Sequence, residues 1–194
     1  MNRKYQQSRR AESAAETRRR IVEATVELHK AVGPRLTTVS EVARRAGVER
    51  LTVYRHFPDE AAMVVACQAH WLGLHPRPDI EAWRDINDQD ARLRQALAET
   101  YDWYEATEQM TAKIVRDAPA LDSFGKIVEG WSRGAAKSVE ILSAGRDVAA
   151  TRPARLAGTL LTALSFQTWQ TLVRRGGLSR DAAVALAMDW VRAS

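Results

Sequence analysis

The sequence predicts an all-α protein. Apolar residues recur three or four positions apart along most of the 194-residue chain, which is the spacing of helices that bury one face. No segment alternates apolar and polar residues in the manner of a strand. Glycine and proline lie where the helical patterns stop, as at Gly33-Pro34 and at Pro58. The 45% hydrophobic content is sufficient for a packed core.

The first helix is predicted from about Glu16 to Val32. Its apolar stripe consists of Ile21, Ala24, Thr25, Leu28 and Val32. Gly33 and Pro34 stop it, because proline cannot continue a helix. Residues 1–15 are polar and are predicted to form a flexible basic arm. The basic side chains of this arm are Arg3, Lys4, Arg9 and Arg10.

Two short helices are predicted next. Thr38 and Glu41 form a capping-box pattern, in which the hydroxyl accepts the Glu41 N–H and the carboxylate reaches back to the Thr38 N–H. We expect one helix from Val39 to Ala46, ending at Gly47, and another from Arg50 to about Phe57. Two short helices joined by a tight turn that contains glycine make the helix-turn-helix pattern.

The rest of the chain is predicted to be helical as well. The expected helices are Asp59–Leu74, Asp88–Asp117, Leu121–Ser143, Pro153–Arg175 and Arg180–Ala193. The stretch Leu156 to Val173 has no charge, but its hydroxyl and amide side chains favour a buried helix over a membrane span. The N-terminus has no apolar signal segment, and a single cysteine fits a reducing compartment. We therefore expect a soluble cytoplasmic protein without a membrane partner.

Positive charge is concentrated in the first third of the chain. Met1–Pro58 contain 13 Lys/Arg and 6 Asp/Glu, a net charge of +7, whereas the remainder contains 16 and 18, a net charge of −2. Such a division indicates that one end contacts a polyanion, although a soluble basic terminus produces the same pattern.

The segment TVSEVARRAGVERLTVYRHFPDEAAM resembles the DNA-binding signature of the TetR family of transcriptional regulators. The resemblance extends from Thr17 to about Met63. It implies an N-terminal three-helix helix-turn-helix DNA-binding domain over residues 16–60. A C-terminal helical ligand-binding and dimerisation domain over residues 61–194 would follow. In this family the second short helix lies in the major groove of double-stranded operator DNA.

The predicted DNA contacts lie mainly on that helix. Arg50 can donate two hydrogen bonds to guanine, and Leu51 can contact the methyl group of thymine. The resemblance implies that Thr52, Tyr54 and His56 contact the phosphate backbone. The full predicted set is Thr38, Glu49, Arg50, Leu51, Thr52, Tyr54, Arg55 and His56.

Two residues depart from the family pattern. Glu49 replaces the usual serine or threonine cap of the recognition helix, and its carboxylate could accept a hydrogen bond from cytosine N4. Glu60 stands where a phosphate-contacting lysine is common. We expect the basic arm to compensate for the lost contact, since such arms can enter the minor groove.

The resemblance also implies a pocket for an unknown small-molecule effector, and no cofactor. The candidate lining residues are Cys67, His70, Tyr101, Trp103, Tyr104, Met110, Trp131, Phe166 and Trp169. The alternative is that these side chains simply fill a core. The last two helices are predicted to form a homodimer interface, with purely intramolecular packing as the alternative. The apolar stripe of the final helix is Ala183, Leu186, Ala187, Trp190 and Val191.

The resemblance therefore implies a ligand-responsive regulator, a repressor that binds a palindromic operator as a dimer and is released by an effector. No metal-ligand spacing or catalytic motif is present, so we do not expect an enzyme. One alternative is a helical adaptor without DNA contact, which the pairing of basic residues tests. The residues in question are Arg44, Arg45, Arg50 and Arg55. A second alternative is that Cys67 senses the redox state, although a buried thiol with no such role is the more common case.

Overall fold

The computed structural model describes residues 3–146 and 153–194, with side chains from residue 6 onward. Over these ranges the chain is helical and contains no strand, which confirms the all-α prediction. The helices are α1 Arg3–Ala31, α2 Val39–Ala46, α3 Arg50–His56, α4 Glu60–Leu74, α5 Gln89–Asp117, α6 Gly125–Ser143, α7 Pro153–Ala163, α8 Phe166–Trp169 and α9 Arg180–Arg192. Across the described part of the chain, every helix is too short or too polar to cross a bilayer.

Helix α1 begins earlier than expected. The predicted flexible arm is wrong from Arg3 onward, because residues 3–15 continue α1 without a break. This segment contains neither glycine nor proline and is rich in Ala, Arg, Gln and Glu, which are good helix formers. The Ser8 hydroxyl also donates to the Glu12 carboxylate at 2.8 Å, one turn further along. The basic residues of the expected arm therefore lie on a helix.

One compact unit contains residues 1–74 and 112–128. Its core joins α1, α2, α3 and α4 through buried apolar side chains. These are Ile21, Val22, Ala24, Leu28, Val42, Ala43, Ala46, Val53, Phe57 and Met63. Because Met63 belongs to this core, the unit extends beyond the domain boundary that we expected at residue 60.

The turn after α1 is fastened to the end of α5 within this unit. Gly33 has a φ of 94°, a conformation that favours glycine. The buried carboxylate of Asp117 accepts the Arg35 N–H at 3.3 Å and forms an ion pair with the Arg116 guanidinium at 2.6 Å. These contacts hold the pKa of Asp117 below its usual range, mainly through the hydrogen bond from Arg116.

The second compact unit contains residues 75–111 and 129–194, and its last helices differ from the prediction. The single helix expected over Pro153–Arg175 is interrupted after Ala163. The Tyr101 hydroxyl donates to the Ala163 carbonyl at 2.9 Å, and the Tyr104 hydroxyl donates to the Leu164 carbonyl at 2.8 Å. Ser165 then caps α8 by accepting the Thr168 N–H at 3.1 Å. These side chains satisfy backbone groups that the interruption leaves without helical partners.

Two further helix bounds need correction. The segment Gln170–Arg175 forms a π-helix directly after α8, a form that occurs often at functional sites. The helix expected from Leu121 begins at Gly125, after a short 3₁₀ turn over Asp122–Phe124. That turn buries Phe124 in the first unit, where its ring lies 5.8 Å from the ring of His29.

Candidate nucleic-acid interface

The start and end of α2 follow the predicted chemistry in part. The Thr38 hydroxyl accepts the Glu41 N–H at 3.2 Å, as expected for an N-cap. The reciprocal half of the capping box is wrong, since the Glu41 carboxylate binds the Arg44 guanidinium, at 2.9 Å from Nε. Gly47 ends the helix in the left-handed region with φ 66° and ψ 40°. The turn into α3 is therefore fixed by one cap and one glycine.

Helix α3 has one buried and one exposed face. Val53, together with Phe57 just after the helix, packs in the core shared with α1. Arg18 of α1 fastens the end of α3, because its Nη1 donates to the His56 carbonyl at 2.9 Å and its guanidinium lies 4.1 Å from the centre of the Phe57 ring. The opposite face of α3 is consequently held towards solvent. No sequence pattern pointed to Arg18, whose one signal is its place on α1, four residues before the buried Val22.

The predicted base-contacting residues lie on that exposed face. Leu51 is 57% exposed and Tyr54 is 43% exposed, so both side chains are accessible from solvent. Nη2 of Arg50 donates to the Tyr54 hydroxyl at 3.0 Å, and its guanidinium lies 5.5 Å from the centre of the Tyr54 ring. Arg50 is thus held over Tyr54 without an acidic partner, and it must leave this position to reach a base edge.

The four arginines that test the adaptor alternative are paired differently from one another. Arg44 is bound to Glu41. Arg50 contacts Tyr54, and Arg45 and Arg55 have no ion-pair partner among the described residues. Three of the four positive charges therefore remain available to a polyanion, which favours DNA binding over the adaptor.

Helices α1 and α3 also line an open surface groove of about 420 Å³. Thr52 and His56, two predicted phosphate contacts, line its α3 side. The α1 side consists of Arg9, Arg10, Ser13, Ala14 and Thr17. Within the described part of the chain, no carboxylate lines the groove. The structure thus places Arg9 and Arg10 beside the recognition helix.

The two departures from the family pattern have local explanations. Glu49 occupies the N-cap position of α3 with its side chain unbonded to the helix, so the expected loss of capping is observed. Glu60 is the first residue of α4, where its negative charge interacts favourably with the positive end of the helix dipole. Asp59 caps the same helix by accepting the Ala62 N–H at 2.7 Å. Glu60 therefore stabilises α4 where a lysine would contact phosphate.

The candidate effector residues fall into two groups. Cys67 and His70 belong to the first compact unit, whereas the other seven belong to the second. Burial raises the pKa of the Cys67 thiol to about 12, and its Sγ lies 3.7 Å from Nδ1 of buried His29. The thiol is therefore protonated, and the structure favours an ordinary buried cysteine over a redox sensor.

The second group contains a connected cluster of aromatic rings. The Tyr104 ring lies 5.3 Å from the Phe166 ring and 5.9 Å from the Trp169 ring, and Trp103 lies 5.7 Å from Tyr104. Tyr101 is fully buried, and Met110 is buried as well. Trp131 is half-buried and has no ring contact with the cluster among the described residues. A role in effector binding remains a prediction for all nine candidates.

The helix-turn-helix lies in a segment that matches a known family. Residues 21–67 match the family described as bacterial regulatory proteins, tetR family. The DNA-binding end of the chain is therefore similar to that of TetR-family regulators. This match confirms the resemblance seen in the sequence over residues 21–67.

The curated TetR-type relatives match the DNA-binding end of the chain. The chain is 40% identical over 73 residues to the HTH-type transcriptional regulator SrpR of Pseudomonas putida, a match that covers 36% of this chain and 34% of SrpR. The same identity and length are found with the HTH-type transcriptional regulator TtgW, also of Pseudomonas putida, of which 54% is covered. The chain thus spans about a third to a half of the length of these relatives.

One solved structure of a repressor is similar over nearly the whole chain. NalD of Pseudomonas aeruginosa, the secondary repressor of the MexAB-OprM multidrug efflux pump, superposes with a TM-score of 0.62 at 18% identity. The superposition covers 94% of this chain and 96% of NalD. At this identity the likeness concerns the fold alone, and it extends over the C-terminal helices as well.

Proposed function

We propose that this chain is a ligand-responsive transcriptional repressor of the cytoplasm that binds a palindromic operator as a homodimer and is released by a small-molecule effector. The observation that carries the proposal is the outer face of α3. This face exposes the side chains of Arg50, Leu51, Tyr54 and Arg55, while the opposite face of α3 is buried in the core. Among the described residues, no carboxylate forms an ion pair with Arg50 or Arg55. A surface of this kind suits the edges of bases and the phosphates beside them.

The DNA-binding part is tested by selecting duplexes from a random library with the wild-type chain. We expect one recurrent sequence with two-fold symmetry. Arg50→Ala should relax the preference at one position by roughly 1–3 kcal/mol, the usual contribution of a bidentate contact to guanine. Tyr54→Phe should weaken all sequences to a similar degree, because it removes the hydroxyl that is proposed to contact a phosphate.

Arg133→Ala serves as the matched control, since it removes one exposed arginine from α6. Its affinity and preference should equal those of the wild type. Failure of the wild-type chain to enrich any duplex would overturn DNA binding and leave the adaptor as the better interpretation.

The dimer is proposed to form through α7 and α9, which pack against each other. The predicted stripe on α9 needs correction, because Ala183, Ala187 and Val191 are buried within the chain itself. The apolar surface left for a partner contains Leu186, which is 36% exposed, and Leu161 of α7, which is 45% exposed. Two helices from each subunit would then pair about a two-fold axis and present two copies of α3 to successive major grooves.

Substitution of both exposed leucines tests this interface. Leu161→Glu combined with Leu186→Glu should yield monomers in analytical ultracentrifugation and weaken operator binding in the same variant. Leu74→Glu is the control, because that leucine is exposed at the end of α4. A doubly substituted chain that remains dimeric would contradict the proposed interface.

The effector is proposed to bind near the aromatic cluster. This proposal is supported by the π-helix Gln170–Arg175 next to Trp169, since π-helices occur often at functional sites. A thermal-shift screen of apolar and cationic compounds should find ligands that raise the melting temperature and release DNA. Trp103→Phe should reduce the shift, whereas Trp71→Phe, on α4, should not. A shift that both variants retain fully would place the ligand elsewhere.

A further inference from the structure

We infer that the groove between α1 and α3 is a binding site for the phosphates that flank the base pairs contacted by α3. The inference rests on the proposed function, since it assumes that the outer face of α3 contacts DNA. It differs from the flexible arm that the sequence suggests, because the basic residues are held on a helix and the predicted contact is with the backbone rather than the minor groove.

The spacing of the α1 residues creates the groove. Arg9, Ser13 and Thr17 are four residues apart, so they form one row on the helix surface. Arg10 and Ala14 form the neighbouring row. The small side chains in the middle leave space, and the two guanidinium groups lie at the end nearer the N-terminus of α1. This arrangement combines an open floor with hydroxyl groups and two cations.

The opposite wall connects the groove to the DNA-facing surface. Thr52 and His56 are one turn apart on α3, and both line the groove. They are also the residues that the family resemblance assigns to the backbone. A phosphate contacted by Thr52 and His56 therefore lies at the mouth of the groove, and the next phosphates along the strand approach Arg9 and Arg10.

The charges in the groove are free to bind an anion. Neither Arg9 nor Arg10 has an ion-pair partner among the described residues. Glu16, the acidic residue at the edge of this face, is bound to Arg19 at 2.6 Å, and Glu23 is bound to the same guanidinium at 2.6 Å. The carboxylates of Glu16 and Glu23 are thus occupied outside the groove, and that of Glu12 accepts the Ser8 hydroxyl at 2.8 Å. The Thr17 hydroxyl already donates to the Ser13 carbonyl at 2.9 Å, which leaves the Ser13 hydroxyl as the α1 hydroxyl donor. Phosphate is the anion that two guanidinium groups and such a hydroxyl would bind.

The salt dependence of DNA binding tests this inference. The probes are a duplex selected by the wild-type chain and a scrambled duplex of equal length. Each neutralised phosphate contributes about −0.9 to the slope of log affinity against log salt. In Arg9→Ala/Arg10→Ala, the slope should fall in magnitude by about 2 on both duplexes. The loss of affinity between 50 and 200 mM salt should then be about tenfold smaller than in the wild type.

The control variant is Lys126→Ala/Arg133→Ala, which removes two exposed charges from α6. It should keep the wild-type slope. Because alanine is a strong helix former, Arg9→Ala/Arg10→Ala should melt at the same temperature as the wild-type chain. Equal melting temperatures of these two proteins would exclude misfolding as the cause of a changed slope. A groove variant with the wild-type slope would overturn the inference while leaving DNA binding intact. A wild-type chain that binds neither duplex would instead overturn the proposed function.

Uncharged methylphosphonate linkages locate the contact. When they replace single phosphates outside the recognised base pairs, wild-type affinity should fall at one or two positions on each half of the duplex. The groove variant should be insensitive at the same positions. Sensitivity of the variant equal to that of the wild type, or wild-type losses confined to the central base pairs, would contradict a phosphate site in the groove.

Discussion

The turn at Gly33 is a point where a single methyl group should destabilise the DNA-binding unit strongly. Gly33 has φ 94° and ψ 160°, a conformation that is essentially restricted to glycine. A Cβ atom at this position would lie 2.5 Å from Nη2 of Arg116 and 2.5 Å from Oδ2 of Asp117. Gly33→Ala therefore strains the backbone and displaces the ion pair of a buried carboxylate.

The two effects have separate magnitudes. Backbone strain of this kind costs about 1–3 kcal/mol. Weakened hydrogen bonds to the charged carboxylate cost about 1.5–3 kcal/mol, because Asp117 has almost no access to water. The expected loss is about 3–5 kcal/mol. For a chain of this length, that loss lowers the melting temperature by about 10 °C or more.

Urea and thermal unfolding of three glycine variants separate the causes. Gly47→Ala is the control for strain alone, because Gly47 lies in the left-handed region but its nearest neighbour would be 3.7 Å away. It should cost about 1–2 kcal/mol. Gly134→Ala, inside α6 with no atom within 4 Å, should stabilise by up to about 1 kcal/mol. Equal losses at Gly33 and Gly47 would refute crowding against Asp117, and an unchanged Gly33→Ala would refute the strain as well.

Three further variants test the cap, the helix interruption and a buried histidine. Thr38→Ala should cost about 1 kcal/mol in urea unfolding, because the Glu41 N–H loses its acceptor; no loss would refute the cap. Tyr104→Phe should cost about 1–2 kcal/mol in the same assay, because the Leu164 carbonyl loses its donor; wild-type stability would show that this hydrogen bond does not stabilise the helix interruption. Burial lowers the pKa of His29 from 6.5 to about 4. The unfolded chain therefore binds a proton that the folded chain does not between these values, so stability should fall by about 2 kcal/mol from pH 7 to pH 5. His29→Gln should remove most of this pH dependence. If the free energy of unfolding of the variant falls as steeply between pH 7 and pH 5 as that of the wild type, the effect does not originate in His29.

Local sequence patterns predicted the helix-turn-helix well. Thr38 and Gly47 act within one turn of their own positions, so their roles follow from short-range chemistry. Val53 and Phe57 are four residues apart, a spacing that places both on one helix face, and both are buried in the core. The exposed face of α3 then followed, because the buried face left only one side of a short helix for contacts. For these reasons the predicted DNA contacts lie where a ligand could reach them.

Long-range contacts decided the features that the patterns missed. The interruption after Ala163 depends on two tyrosines about sixty residues away, whose hydroxyls bind the freed carbonyls. The second half of the capping box failed because Glu41 has a better partner in Arg44, with which it forms a charged pair. On α9, the sequence periodicity places Ala183 and Ala187 on the apolar face of the helix. Periodicity cannot distinguish a face buried in the core of one chain from a face buried between two chains.

The unbroken α1 also constrains how the length of this chain can vary. Each residue added to a helix rotates everything before it by about 100°, since a turn contains 3.6 residues. One residue inserted between Thr17 and Ile21 would turn Arg9 and Arg10 away from Thr52 and His56. An insertion of seven residues would restore the direction but shift the arginines by about 10 Å along the axis. Substitutions on the solvent side of α1 should be tolerated in homologues, whereas insertions and deletions between the groove and the core should be rare.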